Sequence, residues 1–282
     1  MYKNWLIRGD CHGAFHWIND VKNYKPDETA FIILGDFSVN YYLNNNDQRK
    51  KRMLESTGYT FYVVRGNHEA RPRDVPGMRI MYDADVGGCV YIEGDEEEGF
   101  EEFPHIRYFM DYGIYTINGF SVAVIGGAYS VDKWWRLRRV GVTDKFDPDY
   151  FNAKKTGWFW NEQLTTYEMK QAAELFKGKS FDFVLSHTCP RDWEPTDLFL
   201  SSINQSEVDQ SMENWMNEIK DTFDWHVWVW GHFHADRLER PHCEMFYNNL
   251  DSLKDIYSRW SRYDQTGELD WWLAKGPMFY AK

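Results

Sequence analysis

Cysteine is scarce and widely spaced in this chain. Cys11, Cys89, Cys189 and Cys243 form no C-x-x-C pair, which leaves a zinc knuckle or a dithiol redox motif without support. A reduced, cytoplasmic protein is the expectation. No run approaches the ~18 apolar residues of a membrane span, and the start, Met1-Tyr-Lys-Asn-Trp-Leu-Ile-Arg8, meets charge too early for a secretory signal. Positive charge is also short: 32 Lys and Arg face 44 Asp and Glu, a net charge of −12. That balance argues against a broad nucleic-acid surface and a long duplex partner, which need a basic footprint. It leaves room for a small, locally positive pocket. No internal repeat or low-complexity linker marks a domain boundary.

What is present describes a packed protein. Of 282 residues, 43% are hydrophobic and 27% charged, which excludes disorder, collagen and coiled coil as overall descriptions. The 14 Trp, 18 Tyr and 19 Phe supply ample core material. Length alone fits two domains or one elaborated α/β domain. We expect one domain over residues 1–250, with inserted segments near 71–120 and 129–160. An aromatic C-terminal extension, 251–282, packs on it and carries Trp260, Trp271, Trp272 and Phe279.

Six short apolar runs have strand composition and stop abruptly. They are Trp5-Leu-Ile-Arg8, Phe31-Ile-Ile-Leu34, Phe61-Tyr-Val-Val64, Val122-Ala-Val-Ile125, Phe181-Asp-Phe-Val-Leu185 and Val227-Trp-Val-Trp230. Helical patterns are expected over 14–24, 47–56, 161–177 and 207–223. Strands alternating with helices argue for an α/β domain, whose ligands gather at the carboxyl ends of strands. Added strands and loops are expected from about 87 to 120. Within them, residues 93–102 hold seven acidic positions in ten, read as a solvated loop or as a screen against polyanions.

Five of the six runs deliver a His, Asp or Asn as they end. The converging set is Asp10, His12, Asp36, Asn67, His68, His187, His232 and His234. Residues two apart in an extended segment point the same way, so Asp10 with His12, and His232 with His234, each grip one side of a common centre. Nitrogen and oxygen donors without thiolate suit Mn, Fe, Zn, Co or Ni. Even seven of these donors exceed one tetrahedral ion and suit two, with a shared carboxylate.

Spelled in order, the motifs are Asp10-Cys11-His12, Gly35-Asp36, Gly66-Asn67-His68-Glu69, His187 after a strand, and Gly231-His232-Phe233-His234. Over about residues 5 to 235 the chain resembles the calcineurin-like metallophosphoesterases. Val124-Ile-Gly-Gly-Ala-Tyr-Ser130 and Ser186-His-Thr-Cys-Pro190 look more loosely like phage and Gram-positive bacterial members of unassigned substrate. The resemblance implies a four-layer α/β/β/α sandwich with two mixed sheets and a dinuclear centre at strand ends. It implies that Asp10, His12 and His234 hold one divalent ion, manganese first among the candidates. Asn67, His187 and His232 then hold the second, and Asp36 bridges both. His68 faces the substrate as the catalytic group beside them. A metal-activated hydroxide would attack phosphorus in line with the departing oxygen, to which a protonated His68 could donate.

Guanidinium groups commonly complete a phosphate clamp, and Arg71, Arg136, Arg191 and Arg237 each lie within a few residues of a motif or strand end. The basic-aromatic run Lys133-Trp-Trp-Arg-Leu-Arg-Arg139 could stack a nucleobase or bury its apolar side. One departure from the resemblance stands out. Protein Ser/Thr phosphatases of the superfamily read G-D-x-x-D-R, whereas Val39 and Asn40 stand at those last two positions here, so His68 lacks its usual carboxylate partner. Cys11 and Cys189 read as small core fillers. The expected activity is hydrolysis of a small phosphate monoester or diester, with a nucleotide-type substrate among the candidates. The alternatives are a nuclease for short or single-stranded nucleic acid and a non-catalytic metal-bound binding module.

Overall fold

The computed structural model describes residues 2–95 and 100–268. Apolar runs buried on both faces favour parallel pairing under helical cover, and all six expected runs are strands. β1 (Asn4–Arg8), β2 (Thr29–Ile33) and β3 (Thr60–Val63) pair in parallel. The next segment adds β4 (Met78–Asp83), β5 (Gly88–Asp95), β6 (Phe100–Glu101) and β7 (Ile106–Phe109). β7 lies parallel to β3, while β5 runs antiparallel to both β7 and β4. β8 (Tyr112–Ile117) and β9 (Phe120–Ile125) form a hairpin that starts the second sheet. In it β9, β10 (Ser180–Ser186) and β11 (Asp224–Trp230) are parallel, followed by β13 (Cys243–Met245) and an edge strand, β12 (Arg237–Arg240). β14 (Leu250–Ser252) returns antiparallel to β1. The strand orders are β14-β1-β2-β3-β7-β5-β4, with β6 on β5, and β12-β13-β11-β10-β9-β8.

The helices are α1 (Asn45–Glu55), α2 (Lys133–Arg139), α3 (Ala153–Thr156), α4 (Thr166–Phe176), α5 (Ser211–Ile219) and α6 (Leu253–Thr266). Side-chain alternation sets the layers. Ile7, Ile32 and Tyr62 of the first sheet meet Val122, Val124, Val227 and Val229 of the second in a shared core. Residues of the other parity, among them Leu6, Phe31 and Phe61, pack under Trp17, Ile18 and Leu54. On the far side Ala123, Ile125, Trp228 and Trp230 pack under α4 and α5. The result is a four-layer α/β/β/α sandwich with two mixed sheets.

Local chemistry moved several expected boundaries. The pattern over 14–24 closes only a 3-10 turn, His16–Val21, although Ile18 and Val21 are buried as expected. α4 starts at Thr166 rather than 161 because Thr165 and Glu168 form a reciprocal capping box. α5 starts at Ser211, whose N–H donates to the Asp209 carboxylate at 3.0 Å. The acidic stretch is not all solvated: Glu93 is buried and ion-paired with Lys51, and Gln48 donates to it at 3.1 Å. A cation on α1 that faces β5 makes that burial affordable. Leu253, Ile256 and Trp260 of α6 enter the inter-sheet core, and the Trp260 indole donates to Glu244 at 2.6 Å. Trp271, Trp272 and Phe279 lie outside the described residues. Among the described residues no helix is long and apolar enough to cross a membrane.

Candidate functional site

The parallel strands of both sheets end at one edge, and two glycines let their loops close in. At Gly35, with φ +103°, the His187 ring occupies the space a Cβ would need, and at Gly231 the Asp10 carboxylate does so. The neighbouring loops hold non-glycine residues in the left-handed region: His12 (φ +48°), Asp36 (+46°), His232 (+68°) and His234 (+53°). Each such conformation costs about 1–2 kcal/mol. Four together, all on expected site residues, mark a place where side-chain aim outweighs backbone comfort.

The expected donors meet. His12 Nε2 and His234 Nε2 lie 2.8 Å apart, and Asp10 Oδ2 is 3.6 and 3.2 Å from them. Asp10 Oδ2 is buried and has no hydrogen-bond partner. Its other oxygen accepts the His232 N–H at 2.8 Å. On the other side His187 Nδ1 donates to the Leu34 carbonyl at 2.7 Å. In the neutral ring this leaves a lone pair on Nε2. That lone pair faces Asn67 Oδ1 at 2.9 Å and Asp36 Oδ1 at 3.5 Å. Asn67 cannot turn its amide around, because its Nδ2 donates to Ser130 Oγ at 2.8 Å and Ser130 in turn donates to Glu162 at 2.5 Å. One nitrogen and two oxygen atoms therefore converge here. Asp36 reaches both groups, since its Oδ2 is 3.8 Å from His12 Nε2. The His187 and His232 rings are 5.0 Å apart. Converging nitrogen and oxygen lone pairs, one of them orphaned, fit divalent cations. Two of the candidate ligand groups are Asp10, His12, His234 and Asp10, Asp36, His187.

Electrostatics agree with that reading. Burial pushes the Asp10 carboxyl up, but His12 and His234 outweigh it and hold it well below its usual range. Asp36 is likewise lowered, with burial opposed by His68 and His187. Burial, then the neighbouring His187, lowers His232 to about 3, so its ring is neutral and able to ligate. Both nearby cysteines stay thiols: burial pushes Cys11 up to about 12 and Cys189 well above the usual thiol range.

His68 sits on the rim, its ring centroid 5.0 Å from that of His12, and its N–H donates to Asp36 at 2.7 Å. In place of the missing carboxylate it meets Arg136, whose Nη2 lies 2.8 Å from Nδ1. Burial first, then Arg136 and His12, lower its pKa. Arg136 is held by Asp132 and by Tyr41 Oη, each at 2.8 Å.

The other three arginines are each held by acidic partners. Arg71 is fully buried and bound to Glu168 at 2.7 Å, to Asp111 at 3.2 Å and to the carbonyls of Asn161 and Gln163. With no exposed surface it has nothing to offer a phosphate. Arg191 is ion-paired with Glu194. Arg237 is held by Asp197 at 2.8 Å and Glu239 at 2.6 Å. Sequence reasoning missed the Ser130–Glu162 support of Asn67, Tyr41 beneath Arg136, and Tyr247 stacked 5.0 Å from His234. Ser130 ends a motif noted above; Glu162 carried no signal.

The family model for calcineurin-like phosphoesterases matches residues 6–236. Among curated protein sequences, none matches the chain. Among solved structures the chain is similar to the phosphopantetheinyl hydrolase PptH from Mycobacterium tuberculosis. The identity is 12% and the TM-score 0.38, over 95% of this chain and 94% of that one. The family match spans most of the chain and contains every converging donor, so the chain belongs to the calcineurin-like phosphoesterases, enzymes that hydrolyse phosphate esters with divalent metals.

Proposed function

We propose that the chain is a dinuclear phosphoesterase acting on small phosphorylated molecules. The observation that carries this is the meeting of Asn67 Oδ1 and Asp36 Oδ1 within 2.9 to 3.5 Å of His187 Nε2, beside the orphaned Asp10 Oδ2. Asp10, His12 and His234 would hold one ion, Asn67, His187 and His232 the other, with Asp36 placed to serve both. When bound, the two ions, manganese being the one to load first, supply the Lewis acidity that activates water and draws charge from phosphate oxygens. The chain does the rest. Asp36 fixes the spacing of the two halves and anchors the His68 loop through its N–H. Arg136, braced by Asp132 and Tyr41, brings a fixed positive charge to the rim where a phosphoryl group would lie. His68 stands against it, able to hydrogen-bond the departing oxygen.

A cavity of about 300 Å³ beyond Arg136 supports an anionic, nucleotide-like substituent on one side of the phosphorus. It is lined by Arg136, Arg139, Lys154, Lys155, Tyr42 and Trp135, four cations gathered in a chain of net charge −12. Trp135 is 61% exposed, with the Arg139 guanidinium 5.4 Å from its ring centroid. The test is hydrolysis of p-nitrophenyl phosphate, bis-p-nitrophenyl phosphate and a p-nitrophenyl nucleotide ester by Mn²⁺-loaded protein. Turnover that His68→Ala abolishes while both metals stay bound supports the proposal. Undiminished turnover in His68→Ala refutes the role given to that ring.

A further inference from the structure

A second cavity, about 400 Å³, opens beside His232 and His234, and its chemistry is the reverse of the first. Leu198, Phe199, Ile203, Val208 and Phe233 line it, with Tyr129 from the loop before α2. Phe199 stacks on Phe233 at 6.4 Å, and the Arg237–Asp197 pair ties the loop to the body. The apolar side chains are not spent on the core: Leu200 is 62% exposed, and Leu198 and Val131 38% each. Exposed apolar side chains gathered at a site rim mark a ligand surface, and this volume suits a small-molecule pocket. Two carboxyl groups also line it: Glu194, ion-paired with Arg191, and Glu213, which accepts the Thr188 hydroxyl at 2.9 Å.

The two cavities border opposite ends of one row of rings. Arg136 lies against His68, His68 is 5.0 Å from His12, and His12 is 4.8 Å from His234. The basic cavity begins at Arg136 and the apolar one at His234. A phosphorus held over this row therefore has an anion-binding side and an apolar side, and only a phosphorus with two substituents uses both. We infer that the natural substrate is a phosphodiester, with an apolar alkyl, acyl or aryl substituent in the Leu198–Phe233 pocket and a polar or anionic one towards Arg136. This rests on the phosphoesterase reading above. In the reaction water supplies the oxygen that bonds to phosphorus, one P–O ester bond breaks, and the departing alcohol takes a proton from water. The products are a phosphomonoester and an alcohol.

The test is a series of methyl, butyl and octyl p-nitrophenyl phosphates with the Mn²⁺-loaded full chain. Each buried methylene is worth up to about fourfold in binding. The expected result is kcat/KM rising with chain length, and a KM for the octyl ester at least about tenfold higher in Leu200→Asp. Leu175→Asp, an exposed change on α4, is the control and leaves the series as in wild type. Equal KM values in wild type and Leu200→Asp for every ester, with turnover intact, overturn the inference alone. No turnover of any ester by protein holding two metals overturns the phosphoesterase reading, and the inference falls with it.

Discussion

Gly35→Ala probes how far the backbone is built around the site. Gly35 has φ +103°, and the ring atoms of His187 stand where an alanine methyl would be. Nothing nearby yields easily, because His187 is fully buried and bonded to the Leu34 carbonyl one residue away. An L-residue with positive φ costs about 1–2 kcal/mol, and displacing His187 leaves a buried carbonyl unpaired at about 1–3 kcal/mol. The sum is about 2–5 kcal/mol. At roughly 2–4 °C per kcal/mol for a chain of this class, the melting temperature falls by roughly 4–20 °C. Because the ring that moves is a proposed ligand, metal loss accompanies it: elemental analysis should find one ion of the two reduced. Differential scanning calorimetry and metal analysis of the same sample decide the matter. A melting temperature within roughly 2 °C of wild type with full metal content refutes the reasoning.

Three other perturbations separate support from chemistry. Glu162→Ala frees Ser130 and with it the Asn67 amide, so metal affinity drops about 10–100-fold, read by titration with a chelating dye; unchanged affinity would show Asn67 needs no support. Arg71→Met leaves Glu168 with Arg73 and Asp111 with Arg65 but strips the Asn161 and Gln163 carbonyls of their donor, destabilising by about 1–3 kcal/mol with KM unchanged, whereas Arg136→Met raises KM; a raised KM in Arg71→Met and an unchanged one in Arg136→Met would return Arg71 to the site. Glu168 is pulled down to about 2, against the push of burial, by hydrogen bonds and charge from Arg71. A depressed carboxyl stabilises above its unfolded pKa and loses that stabilisation as pH falls towards the folded value. Glu168→Gln is therefore less stable than wild type at pH 7, and the gap narrows below about pH 4.5; a constant gap contradicts the assignment.

The strands and the site donors were legible because they coincide. Each apolar run is too short for a helix and ends on glycine or on the polar residues it delivers, so period and termination agree. The sheet edges were less legible: in Met78–Asp83, side chains alternate between half-buried and exposed, and such strands resemble loops. The segment over 14–24 has a helical apolar pattern but closes only a 3-10 turn, since the pattern records which residues face the core and not which hydrogen bonds form. Asp36 and His187 were found because motif spelling carries them. Arg136 could not be told from Arg71 by sequence, since both follow a motif closely. What distinguishes them is the partner each meets in space, His68 for one and the Glu168–Asp111 pair for the other. The apolar pocket depends on where 194–208 folds back against Phe233, which no local pattern announces.

The most direct measurement counts bound metal beside turnover. Protein stripped with chelator and reloaded with Mn²⁺ is analysed by elemental mass spectrometry, and hydrolysis of bis-p-nitrophenyl phosphate is followed in the same samples, with Asp36→Asn alongside. Two ions per chain, turnover that returns only on reloading, and loss of both metal and turnover in Asp36→Asn are the predicted result. Turnover by the stripped protein, or an Asp36→Asn protein as active as wild type, contradicts it.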